Sequence, residues 1–126
     1  MSKPVKTSYF GRLRALDLSL YYLVQVCRHA PKGVTCDSVL MPALPGWQSL
    51  VVPLKEGLIT EAEYERSYLR VLDSKREELL AAVREILKAA GERTPLLLCY
   101  EKPSDWCHRH VLAGWLRKEG FDVDEL

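Results

Sequence analysis

The densest polar cluster in the chain runs Cys99-Tyr100-Glu101-Lys102-Pro103-Ser104-Asp105-Trp106-Cys107-His108-Arg109-His110. It brings together a thiol, an imidazole, a guanidinium and a carboxylate, the residue types that attack, move protons and hold anions. An apolar run leads into the cluster and a helical pattern leads out, so it spans the end of a strand and the first turn of a helix. Unpaired amides and the positive end of the helix dipole favour an anion there. Cys107, in that turn beside His108 and Arg109, is expected to be partly thiolate at neutral pH. The expected roles are attack by Cys107, proton transfer by His108, base catalysis by Glu101 if the loop buries it, and anion binding by Arg109 with Arg28. With about 100° per residue and Val111, Leu112, Trp115 and Leu116 as the inward stripe, His108 faces the sheet and His110 points away.

Each residue also has a plainer role. Cys107 can be a small buried thiol, His108 a core histidine bonded to a backbone carbonyl, and Arg109 the partner of Glu101 or Asp105 in an ion pair. In that purely structural case His108→Ala costs roughly 1 to 3 kcal/mol by leaving a buried partner unsatisfied. Cys99, Cys107, His108 and His110 include zinc-ligand types, but the paired knuckles of zinc sites are absent and no metal is expected. A phosphatase loop needs arginine six positions after its cysteine, where Cys99 has Asp105 and Cys107 has Ala113. No cofactor is called for.

The elements that must position these groups follow from apolar spacing. Tyr21 to Cys27 and Leu96 to Glu101 read as strands buried on both faces, with weaker strands at Val5 to Phe10 and Phe121 to Val123. Thr60 to Glu63 has capping-box spacing, and Tyr64, Tyr68, Val71 and Leu72 continue a helical face expected to be core. Ser74 to Glu77 repeats the capping pattern ahead of Leu79, Leu80, Val83, Ile86 and Leu87, with Gly91 as the stop. Two consecutive helices, or one bent near Asp73, are expected. A third helix should start just after Pro103, capped by Ser104 or Asp105, and end at Gly120. Strand, helix and strand over residues 96 to 123 form a βαβ unit, so the fold class is α/β, three layers with a mostly parallel sheet of about four strands flanked by helices. Ligands in such sheets sit beyond the strands' carboxyl ends. That adds Ser8 and Tyr9 as ligand-binding candidates, and Arg28 beside Cys27 and His29.

The chain's 126 residues and 14.4 kDa are one domain's worth, residues 1–126, with a loop-rich insertion at about 30–57 punctuated by proline and glycine. In that insertion Trp47, Leu50, Val51 and Val52 should pack down. Apolar residues make up 48% and charged residues 28%, a globular balance. A net charge of +1 gives no field for nucleic acid or a membrane surface, so neither is an expected partner. The cations Lys3, Lys6, Arg12, Arg14, Arg28 and Lys32 face Asp17 alone in residues 1–36, which leaves an anionic small molecule as the expected partner. No oligomeric state follows. Cys27, Cys36, Cys99 and Cys107 form no C-x-x-C pair and follow no secretory leader, so free thiols in a cytoplasmic, reducing setting are expected.

The run Leu97-Leu98-Cys99-Tyr100-Glu101-Lys102-Pro103 followed by Cys107-His108-Arg109-His110 resembles the uncharacterised family known as domain of unknown function 488, in its short form. Thr7-Ser8-Tyr9-Phe10, Cys27-Arg28 with Pro31, Leu44-Pro45-Gly46-Trp47 and the Gly57 to Tyr68 stretch add to the resemblance, which spans nearly the whole chain. It implies a small α/β protein with a parallel sheet. It maps the family motif onto Cys99, Glu101, Cys107, His108 and Arg109, with Ser8, Tyr9 and Arg28 as companions, and it confers no settled activity. The loop from Pro31 to Trp47 follows the family pattern only loosely. Two functions are therefore expected as alternatives. One is a small enzyme binding an anionic or nucleotide-like ligand at the carboxyl edge of the sheet; the other is a non-catalytic anion-sensing or protein-interaction module in which Cys-His-Arg is structural.

Overall fold

The structure is a computed structural model that describes residues 3–100 and 106–126. In chain order the strands and helices are β1 (Val5–Tyr9), β2 (Tyr21–Gln25), β3 (Ser38–Val39), α1 (Val52–Lys55), α2 (Glu61–Ser74), α3 (Arg76–Ala90), β4 (Thr94–Cys99), α4 (His108–Lys118) and β5 (Val123–Glu125). The strands form one sheet in the order β3-β2-β4-β1-β5, and every pairing is parallel. The α/β expectation holds, with a fifth strand added. That strand, β3, is two residues long and lies inside the proline-punctuated loop, too short to leave an alternating pattern.

Central position explains the composition of β4. Leu96, Leu97, Leu98 and Cys99 are all buried, as a strand covered on both faces requires. Connections β3→β4 and β4→β5 step the same way across the sheet, so right-handed crossovers put α2, α3 and α4 on one face. Packing of α2 on α4 agrees, with the Trp115 indole N–H donating to Asp73 at 2.8 Å. The β1→β2 connection steps the other way and covers the second face with two short 3-10 turns, Phe10–Ala15 and Leu18–Leu20, burying Phe10 and Leu13.

Local signals set most element ends. Thr60 and Glu63 form the expected reciprocal capping box of α2. Gly91 ends α3 with a φ of +60°, and Gly120 follows α4 with a φ of +98°, both in the region that favours glycine. Ser74, expected to cap a second box, instead sits inside α2 and donates its hydroxyl to the Val71 carbonyl at 2.8 Å. The break comes at Lys75. The helix expected just after Pro103 starts at His108, because Cys107 is in extended backbone and its sulfur accepts the Arg109 amide N–H at 3.5 Å. Ser104 and Asp105, expected as caps, lie outside the described residues. Among the described residues no helix is long and apolar enough to cross a membrane.

Candidate functional site

Chain leaves the carboxyl end of β2 toward β3 and the carboxyl end of the adjacent β4 toward β5, in opposite directions across the sheet. Such a divergence opens a crevice between the two strands. A pocket of about 260 Å³ lies there, at the small end for ligand sites. Its floor comes from the strand ends and the start of α4, as Cys27, Tyr100, Cys107 and His108. Its far wall comes from the loop at 45–55, as Trp47, Val51, Leu54 and Lys55, with Tyr64 of α2.

His108 is buried and its Nε2 lies 2.5 Å from the carbonyl oxygen of Val26. A carbonyl only accepts, so Nε2 carries the proton, and in the neutral ring Nδ1 bears the lone pair. Nδ1 lies 3.9 Å from the Cys107 sulfur. The edge of the imidazole meets the Tyr68 ring at a 90° interplanar angle, fixing its orientation. Cys107 itself is disulfide-bonded to Cys99. This corrects the expectation of four free thiols: the last residue of β4 and the cap of α4 face each other on the same side of the sheet.

Arg109 points away from the pocket. It has no exposed surface, and its Nη2 and Nε donate to the two carboxylate oxygens of Glu125 at 2.9 and 3.2 Å. Nη1 donates to the Cys99 sulfur at 3.1 Å, and the guanidinium lies 5.9 Å from the Tyr9 ring centroid. The Thr7 hydroxyl adds a 2.5 Å bond to Glu125. Burial pushes the Glu125 carboxyl up, but the bonds from Arg109 and Thr7, the guanidinium charge and nearby His110 outweigh it and hold the carboxyl below its ordinary value. His110 is exposed, as its helical position predicts, and burial of its ring with the Arg109 charge lowers its pKa.

The structure thus brings together Cys107, His108 and Arg28 at the pocket, and separately Arg109 and Tyr9 beneath the start of α4. Ser8 joins neither group. Strand alternation turns it to the face opposite Thr7 and Tyr9, where its fully buried hydroxyl has no hydrogen-bond partner among the described residues. Glu101 lies outside the described residues. Two lining groups were missed by reading strand ends alone. Lys55 stands 5.2 Å from the centroid of the Trp47 ring, on which the expected Arg28 also lies at 5.4 Å, and Tyr64 meets Trp106 edge to face at 4.8 Å. The signal available was a tryptophan and a lysine in a loop whose apolar residues must pack down.

A small parallel α/β protein with its pocket at the switch point is the class that fold and site define. The family model DUF488-N3a, described as the active DUF488-N3 subclade, matches residues 14–120. The chain belongs to this DUF488 family. No match is found among curated proteins or among solved structures.

Proposed function

We propose that this protein binds a small anion carrying an aromatic ring, a ligand of nucleoside monophosphate type, between the ends of β2 and β4, and acts on it with Cys107 and His108. One observation carries this reading: a single pocket joins that reactive pair to Arg28 and Lys55, which have no carboxylate within ion-pair distance among the described residues. The two cations take the anionic group. Trp47, Tyr64 and Trp106 offer faces and edges for a ring, the usual apolar wall of a small-molecule site. His108 Nδ1 takes the proton of the reduced Cys107, the thiolate displaces a leaving group from an electrophilic centre of the ligand, and the imidazolium gives the proton to that leaving group as its bond breaks. Arg109 is a positioning residue, setting the start of α4 through Glu125 and Cys99. A cytoplasmic, reducing setting supplies the thiol form this chemistry needs.

A second reading, an anion sensor without turnover, is favoured by the bond that occupies the Cys107 sulfur and by the ion-paired burial of Arg109. The description of the subclade as active favours the catalytic reading. Calorimetric titration of the reduced protein with nucleoside monophosphates, nucleosides and inorganic phosphate tests the site. The monophosphates should bind more tightly than either part, and Arg28→Ala or Lys55→Ala should each weaken them about tenfold, the loss of one charge-assisted hydrogen bond. Equal weak binding of all three, unchanged in both variants, contradicts the proposal; tight binding with the ligand recovered intact supports the sensor.

A further inference from the structure

The sulfur given the nucleophilic role is also the one held in a disulfide with Cys99. We propose that Cys99 and Cys107 are a reversible redox site, closed by a small hydroperoxide and reopened by a dithiol. The pair's chemistry stands on its own geometry; that closure silences the pocket rests on the proposed function.

The two sulfurs are not equivalent. Cys107 lines the pocket, whereas Cys99 has no exposed surface and lies behind it against Arg109. A reagent entering by the pocket therefore meets Cys107 first. Both sulfurs have a donor that stabilises a thiolate: the Arg109 amide at the helix start for Cys107, and the Arg109 guanidinium for Cys99. Glu125 holds the guanidinium in place through two bonds, so this donor is fixed. Stabilised thiolates lower the free energy of the reduced pair, which makes the bond more readily reduced than a structural disulfide. Cys36 is a poor competitor, since burial and the neighbouring Asp37 push its thiol up and it lies outside the pocket lining.

Closure takes two steps. The Cys107 thiolate attacks the outer oxygen of the hydroperoxide, giving a sulfenic acid and, with one proton, an alcohol or water. The Cys99 thiolate then attacks the Cys107 sulfur, forming the S–S bond and expelling hydroxide, which leaves as water once protonated. Reopening runs through a mixed disulfide: one sulfur of the dithiol attacks Cys107 and releases Cys99, and the second closes the reagent's own disulfide and releases Cys107.

The test uses the wild-type protein, so it does not depend on a variant folding. Reduced protein is treated with hydrogen peroxide, then denatured in N-ethylmaleimide without reductant and digested for mass spectrometry. The expected product is a Cys99–Cys107 cross-linked peptide pair, lost again on dithiothreitol treatment before denaturation, with Cys27 and Cys36 alkylated throughout. In Cys99→Ser the sulfenic acid at Cys107 should persist and be trapped by dimedone. A dominant cross-link through Cys27 or Cys36, or full alkylation of Cys107 after peroxide, overturns the redox site. Nucleoside monophosphate titration of the reduced protein fails or succeeds independently of this result, which separates the redox site from the pocket reading.

Discussion

His108 Nε2 and the Val26 carbonyl oxygen, 2.5 Å apart, tie the first residue of α4 to the chain just beyond β2. This bond lies at the floor of the switch-point crevice and also selects the tautomer that leaves the Nδ1 lone pair on the side of Cys107. One contact therefore does structural and chemical work, and substitution can separate the two. His108→Gln keeps an N–H donor for Val26 but loses the ring base; stability in urea should fall by less than about 1 kcal/mol, while His108→Ala should lose about 1 to 3 kcal/mol through the unsatisfied carbonyl. Equal losses in the two variants would show that ring packing, not the hydrogen bond, is what the site needs.

The Arg109–Glu125 pair should respond asymmetrically. Glu125 is a quarter exposed, at 26%, whereas Arg109 has no exposed surface. Removing the carboxylate in Glu125→Gln takes two charge-assisted hydrogen bonds from a buried guanidinium and should cost about 2 to 4 kcal/mol, below the full value for a wholly buried pair. Removing the cation in Arg109→Met leaves a carboxylate that can turn to water, and should cost less. Denaturant unfolding of both variants checks the order.

Acid sensitivity follows from the same corner of the molecule. His110 has a folded pKa below its ordinary 6.5, so below that pH the unfolded chain binds the extra proton and stability falls. Glu125 has a folded pKa below its ordinary 4.5, so its contribution is present above that value and is lost as pH falls through the lower folded pKa. Thermal unfolding across pH should show both declines. His110→Gln should remove the upper one, and Glu125→Gln the lower one at reduced overall stability.

The wall of the pocket depends on Tyr68, whose hydroxyl donates to the Ala43 carbonyl at 2.6 Å in a buried setting. This bond clamps the start of the 41–55 segment to α2. Tyr68→Phe should cost about 1 to 2 kcal/mol by leaving that carbonyl unpaired. Hydrogen exchange at 47–55 should rise with it, and an unchanged exchange pattern would mean that apolar packing of Leu40, Ala43 and Leu50 holds the segment alone.

The sheet's strong strands were legible because β2 and β4 are buried on both faces and their apolar runs are nearly unbroken. The helix cap at Thr60 and the stop at Gly91 were legible because each depends on local chemistry. The inward direction of His108 and the outward one of His110 followed from helical angle alone. Partner choice did not follow. Arg109 was expected to pair with Glu101 or Asp105, which lie outside the described residues, or to hold an anion; the pairing with Glu125, sixteen residues on, was not foreseen and arises because β5 returns beside β1. Nor could spacing place Cys99 against Cys107: strand alternation fixes the face of Cys99, but the approach of Cys107 depends on where α4 begins. Lys55 and Trp47 reach the pocket through a loop whose path no periodicity encodes.

The central claim is that Cys107, with His108 beside it, belongs to a pocket that holds a ring-bearing anion. The most direct measurement is the rate at which iodoacetamide labels Cys107 in fully reduced native protein, followed peptide by peptide with and without saturating nucleoside monophosphate. The account predicts labelling of Cys107 that is slowed by the monophosphate, not by inorganic phosphate alone, and slowed also in His108→Gln. Labelling that is indifferent to the monophosphate and to the loss of His108 would contradict it.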